Sequence, residues 1–188
     1  MLRQLFILLG LVVIPLAHAD DAAWSGNVNL LFGAKSLDES YWYPVEDQGE
    51  FGVMVDFKRR EWPISVALDI LASAMDDSST GLYIEGATSE LDFGIRKIFE
   101  LSGSTVHPFI GGGLALIGAE RTTWIGPAAF PERDTGAGIW LNGGVYVTLS
   151  EAFNLGFQIR ISGAEVTLGN SQVNGGGGHS GLMVGYHW

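Results

Sequence analysis

The 188-residue chain contains no cysteine. Without thiols, disulfide frameworks and thiolate metal sites are both excluded. Bases are also scarce, with ten Lys and Arg against 21 Asp and Glu and a formal net charge of −11. Such a balance makes a poor partner for nucleic acid. Past residue 19 no apolar run is long enough for a membrane-spanning helix. No stretch carries a convincing helical period either. Yet 47% of the residues are hydrophobic and the mean hydropathy is +0.23. Apolar content of that size without long runs has to be dispersed along the chain.

One run does stand at the start, MLRQLFILLGLVVIPLAHA. Arg3 supplies a positive n-region, Leu5 to Leu16 an apolar stretch, and Ala17-His18-Ala19 an A-x-A cleavage site. This pattern predicts a cleaved secretory signal peptide over 1–19. The domain is then 20–188, and losing Arg3 makes it one unit more acidic.

Dispersal takes the form of strict alternation. In FNLGFQIRIS (153–162), Phe153, Leu155, Phe157, Ile159 and Ile161 alternate with Asn154, Gly156, Gln158, Arg160 and Ser162. A period of two means a strand with unlike faces. The same pattern sets Val28, Leu30, Phe32 and Ala34 against Asn27, Asn29, Gly33 and Lys35. It sets Phe51, Val53, Val55 and Phe57 against Glu50, Gly52, Asp56 and Lys58, and Val66, Leu68 and Ile70 against Ser65, Ala67 and Asp69. Leu91, Phe93 and Ile95 face away from Glu90, Asp92, Gly94 and Arg96. Further strands are predicted around HPFIGGGLALIGAE, around Ile139 to Thr148, and at GLMVGYHW. About eight strands result.

The connections fall into two classes. SLDESYWYPVEDQG (36–49), ERTTWIGPAAFPERDTG (120–136) and GNSQVNGGGGHS (168–179) are long, and MDDSSTG (75–81) is shorter but turn-like. RREW (59–62), FELSGSTV (99–106) and SEA (150–152) are tight. Long and short alternate along the chain. That is the layout of an antiparallel up-and-down barrel with short periplasmic turns and long extracellular loops.

Alternation does not say which face meets lipid, but three features do. The polar face carries charges of both signs, Asp56, Lys58, Asp69, Glu90, Asp92, Arg96 and Arg160. In a small closed barrel these converge in the lumen and pair as a structural network. The apolar face is free of charge over its middle, as hydrocarbon requires. Aromatic residues also gather near strand ends, at Trp24, Tyr41, Trp42, Tyr43, Trp62, Phe99, Phe153, Tyr186 and Trp188, as in an interfacial girdle.

The segment HPFIGGGLALIGAE resembles the Pro-aromatic-x-Gly-x-Gly stretch of the small bacterial outer-membrane β-barrel superfamily of opacity-type, OmpX-type and OmpW-type proteins. GLMVGYHW resembles the C-terminal signal strand of such barrels, with Tyr186 and Trp188 as the residues read by the assembly machinery. The resemblance implies an all-β, eight-stranded, transmembrane barrel in the bacterial outer membrane, in contact with its lipids and lipopolysaccharide. It is poor in functional information, because this superfamily hosts adhesins, small-solute pores and proteins without known activity. A soluble periplasmic, lipocalin-like barrel is the alternative fold.

Candidate chemistry is thin. His179 and Ser180 are adjacent, and neighbours on a strand point to opposite faces, so a lipid A deacylase-like pair is not formed there. Asp76-Asp77 suits a solvated turn better than an omptin-type rim. Palmitoyl transfer needs an apolar interior, which this one lacks. His107, before Pro108, reads as a surface histidine, and Trp140 and Tyr146 as lumen filling. GGGG (175–178) reads as a mobile loop, since no helix or Lys follows to make a phosphate cradle. No cofactor, metal or catalytic residue is expected. The expected role is structural or adhesive, through a partner at loops 36–49 and 120–136, with the lumen plugged by charge. A narrow OmpW-like solute path is the runner-up, and a lipid-modifying enzyme stands third. The acidic loops raise one more expectation, that divalent cations bridge them to lipid phosphates.

Overall fold

Strands form where apolar and polar residues alternate. In the computed structural model, which describes residues 23–149 and 152–188, they are β1 (Trp24–Ser36), β2 (Asp47–Arg59), β3 (Ser65–Asp77), β4 (Tyr83–Ile98), β5 (Val106–Ile125), β6 (Ala128–Thr148), β7 (Phe153–Leu168), β8 (Ser171–Asn174) and β9 (Gly178–His187). One helical turn, α1 (Glu39–Trp42), lies between β1 and β2. The leader expected over 1–19 and two residues of the SEA turn lie outside the described residues.

Every pairing is antiparallel, and β6–β7 and β1–β9 contacts close the sheet on itself. Although nine strands are delimited, the ring has eight. Glu165↔Asn174 and Ile161↔Gly178 belong to one register against β7, so β8 and β9 are halves of a single strand. Main-chain bonds carry the ladder across the break, Gly175 N–H to Ala164 O at 3.0 Å and Ser162 N–H to Gly177 O at 2.9 Å. Following partners around the ring from Gly26 through Phe57, Val66, Ile95, Gly112, Leu141, Ile161 and Gly178 returns to Ser36, ten residues along β1. A closed eight-stranded sheet with that stagger tilts its strands by roughly 35–45° and leaves an interior that side chains can fill.

The two faces are inverted relative to a water-soluble barrel. Leu30, Phe32, Ile70, Phe93, Leu114, Ile139, Leu141, Ile159 and Leu182 are exposed on the outside, whereas Asp69, Asp92, Arg96 and Arg160 are buried inside. An apolar belt of this breadth around a ring of buried charges is the surface of a transmembrane barrel, not of a lipocalin-like one. Trp24, Trp62, Phe99, Phe153, Tyr186 and Trp188 remain exposed near the tight-turn rim. Trp24 sits 5.7 Å from Trp62 and 6.1 Å from Phe57, ring centre to ring centre.

The long connections differ from their sequence reading. Residues 120–136 are not a loop: β5 and β6 stay paired to Ile125↔Ala128, joined by Gly126 (φ 59°) and Pro127. β4 follows β5 as far as Tyr83↔Trp124, so this arm is a hydrogen-bonded extension of the wall. Residues 168–179 likewise form a hairpin, turning at Gly169 (φ 60°), and the glycines expected to be mobile belong to the barrel wall. Both glycines take the left-handed conformation that a two-residue hairpin turn demands. Residues 36–49 fold inward, so Trp42 is fully buried instead of joining a girdle.

Ile159 is 59% exposed on the lipid-facing side. Ile159→Arg should lower folding stability in lipid vesicles by about 2–4 kcal/mol. It should also abolish the heat-modifiable folded band on a gel. A normally folded Ile159→Arg barrel would reverse the assignment of the two faces.

Candidate functional site

The lumen is bridged by ion pairs between opposing walls. Arg160 on β7 reaches Asp69 on β3, four strands away around an eight-strand ring and therefore across its full diameter, and also reaches Asp92 on β4. Arg96 on β4 donates from Nη2 to Asp69 at 2.7 Å and from Nη1 to Asp56 at 3.2 Å. Asn27 Nδ2 donates to Asp56 at 2.9 Å, and Asn154 Nδ2 to Asn27 at 3.1 Å. Each guanidinium also rests on an aromatic face, Arg160 4.8 Å from the Trp140 centroid and Arg96 5.6 Å from Phe109. A planar cation with five donors suits this double duty of fork and stack.

A second cluster lies toward the long-hairpin rim. Lys35 Nζ donates to Glu90 at 2.7 Å, to Thr88 Oγ1 at 2.8 Å and to Gly175 O at 3.0 Å. His179 places Nδ1 2.7 Å from Glu50 and Nε2 3.0 Å from Ser162 Oγ. Lys35 thus pins the glycine break between β8 and β9 to the far wall. The order Ser162–His179–Glu50 is that of a hydrolytic triad. However, Ser162 Oγ donates its proton to Glu90 at 2.9 Å, and Glu50, Glu90 and His179 around it are buried. The hydroxyl is committed to a carboxylate rather than to an imidazole base.

Of the seven charged residues assigned to the lumen from sequence, Asp56, Asp69, Glu90, Asp92, Arg96 and Arg160 are buried inside the barrel. Lys58 is not among them. It stands at the tight-turn rim, half-buried and 3.5 Å from the exposed Glu100, because the network ends one pleat above it at Asp56. His107 is corrected too. It lies on β5, half-buried at the tight-turn rim and stacked on Tyr146 at 5.0 Å. The sequence reading missed Lys35, Glu50 and His179 as members. Strand parity was sufficient to place all three inside, but nothing local names their partners.

Both ends of the lumen are built differently. At the tight-turn rim an open polar cavity of about 480 Å³ is lined by Asp56, Lys58, Glu100, His107, Tyr146 and His187. At the other rim Trp42 caps the barrel, packed with Leu37, Val45, Ile84, Ala119, Val166 and Leu168. Its indole N–H donates to Asn174 O at 3.1 Å. Tyr41 beside it donates to Glu132 at 3.0 Å, and partial burial followed by that contact pushes its phenol up from the ordinary value. Several loop carboxylates serve as local caps. Asp38 accepts from Ser40 N–H, Asp77 from Ser79 and Asp134 from Thr167 N–H, and these bonds hold all three below the usual carboxylate range. Among the described residues, no group of three or more His, Asp or Glu is placed to hold a metal ion.

No protein-family model matches the chain, and no curated protein sequence matches it. Solved structures define the class of fold: that of small eight-stranded outer-membrane β-barrels. Ail, the attachment invasion locus protein of Yersinia pestis, is similar with a TM-score of 0.60 at 11% sequence identity, covering 89% of this chain and 100% of that one. A major outer membrane protein from Thermus thermophilus gives 0.57 at 10% identity, covering 89% and 99%. Neisserial surface protein A gives 0.51 at 14% identity, covering 88% and 96%. At such identities the likeness is one of fold.

Removing Arg160 leaves Asp69 and Asp92 without their shared cation. Arg160→Met should therefore destabilise the barrel by about 3–5 kcal/mol in urea titrations in vesicles. An unchanged urea midpoint would mean that Arg160 does not occupy the lumen.

Proposed function

We propose that this chain is an integral protein of the bacterial outer membrane, closed to solutes and without catalytic activity, whose role is structural or adhesive through its outward hairpins. The observation that carries this reading is the double closure of the lumen. Trp42 and its apolar cluster cover one rim, and beneath them ion pairs join strands on opposite sides of the ring. A permeation path would have to displace both. Tyr186 and Trp188, outward on and just after β9, are the side chains through which the assembly machinery would engage this strand. The belt and the aromatic rim supply the contacts with lipid and lipopolysaccharide.

The adhesive reading moves from loops to one element. Residues 36–49 are spent on capping the lumen, whereas the end of the β5–β6 arm is preformed, held by its ladders with β4 and by contacts with Tyr41 and Tyr43, and leaves Ile125 and Phe130 exposed. Rigid elements lose less entropy on binding than flexible loops. The structure of Ail was determined in complex with the heparin analogue sucrose octasulfate, a polyanion. The outward segments here, 36–49, 75–85, 118–137 and 163–178, hold eleven carboxylates and two arginines. A polyanionic ligand is therefore disfavoured for this chain.

A narrow solute path has one observation in its favour, the cavity of about 480 Å³ at the tight-turn rim. Planar-bilayer recording separates the readings. The full-length protein should give no discrete conductance steps, and Trp42→Ala should remain silent because the ion pairs persist below it. Stable steps from the unaltered protein would replace the closed barrel with a channel.

A further inference from the structure

The β5–β6 arm carries a surface that the barrel itself does not use. The lipid-facing row of β5 runs through Ile110, Leu114 and Leu116 and gives way to exposed Glu120. Ile125 lies five residues beyond that carboxylate, about 16 Å along an extended strand. The arm tip is thus clear of the apolar belt. Even so, the ten residues TTWIGPAAFP (122–131) contain no charge. Ile125 and Phe130 are 58% and 54% exposed, whereas Tyr83 at the start of β4 pairs with Trp124 on the other face. The register pairs Thr123 with Phe130 and Ile125 with Ala128, so Ile125 and Phe130 share one face. Arg121 and Glu132 continue that face toward the cap, where Arg121 is held by Tyr43 O at 3.2 Å and by the Tyr41 ring. Large apolar side chains held rigidly in water at a projecting tip mark an interaction site.

We propose that this face is the docking surface for a cationic protein partner that offers an apolar recess ringed by Lys or Arg. The inference rests on the reading that the long hairpins face out of the cell, and it names the partner class for that adhesive surface. Charge selects the occupant. The outward segments together hold eleven carboxylates against two arginines, so a second copy of this chain would bring the same acidic rim against itself. The phosphate-rich leaflet would be repelled for the same reason. A basic partner gains attraction at the rim, which speeds encounter, while Ile125 and Phe130 fill its recess.

The test uses the full-length protein in nanodiscs of zwitterionic lipid, with empty discs as the blank. The probes are two fluorescein-labelled amphipathic helical peptides, one of leucine and lysine and one of leucine and glutamate. Anisotropy should show the lysine peptide binding about tenfold more tightly, with the preference shrinking as salt is raised. The double variant Ile125→Ser/Phe130→Ser should weaken it by about tenfold, the scale of losing one well-buried apolar side chain. Both sites are exposed, and the heat-modifiable band checks that the variant folds. Equal binding to variant and unaltered protein, or equal binding of the two peptides, would overturn the docking surface. So would dimerisation of the unaltered protein that the double variant abolishes, since the occupant would then be a second copy. Orientation is read separately, by protease cleavage at a site inserted after Gly126 on intact cells. No cleavage there would remove the outward reading while the peptide result stood on its own.

Discussion

Arg160 reaching across the barrel to Asp69 is the interaction on which the rest depends. A strand that shows lipid one face must turn its other face inward. In an eight-stranded ring that inward face has little room and little water. Charges placed there are tolerable only when paired, and here Arg160, Arg96 and Lys35 each meet carboxylates on other strands. Except for Arg96–Asp69 on neighbouring β4 and β3, the pairs hold together strands that share no ladder. The uninterrupted apolar exterior follows from the same arrangement, because every charged group of the membrane-spanning pleats has a partner inside.

Alternation made most of this fold readable from sequence. Residues 153–162 announce a strand with Arg160 on its polar face, and the structure places that side chain in the lumen. Legibility failed where the physical cause of alternation ceased. The arm at 120–136 has Tyr41 and Tyr43 of the capping segment against its inner face and exposed residues at its tip, so no lipid face imposes a period of two, and its strands extend because the ladder with β4 and the turn at Gly126 carry them on. Gly175–Gly177 has no side chains to show a pattern, and its place in the wall depends on backbone bonds to Ala164 and Ser162. Trp42 was read as a girdle residue because an aromatic in a loop gives no sign of direction. Its pocket is assembled from β4, β5 and β7, which lie far away in sequence. Lys35, Glu50 and His179 were placed by parity but had no local cue to their partners.

The fold shared with Ail and the Thermus protein says little about role, since one architecture carries many functions. The two ends of this chain's barrel differ in chemistry. The tight-turn rim presents Arg59 and Arg60, whereas the hairpin rim is strongly acidic around an arm whose tip, residues 122–131, is uncharged. α1 turns Trp42 inward over the lumen, whereas Ile125 and Phe130 at the end of the β5–β6 hairpin stay exposed.

A double-mutant cycle on Arg160 and Asp69 measures the bracing directly. Arg160→Met, Asp69→Asn and the double variant are unfolded in urea in lipid vesicles alongside the unaltered protein. Charges paired across the lumen should give a coupling of about 1–3 kcal/mol, with the double variant more stable than the two single losses together imply. Additivity within about 0.5 kcal/mol would show that the lumen charges do not brace the barrel and that another interaction holds its walls together.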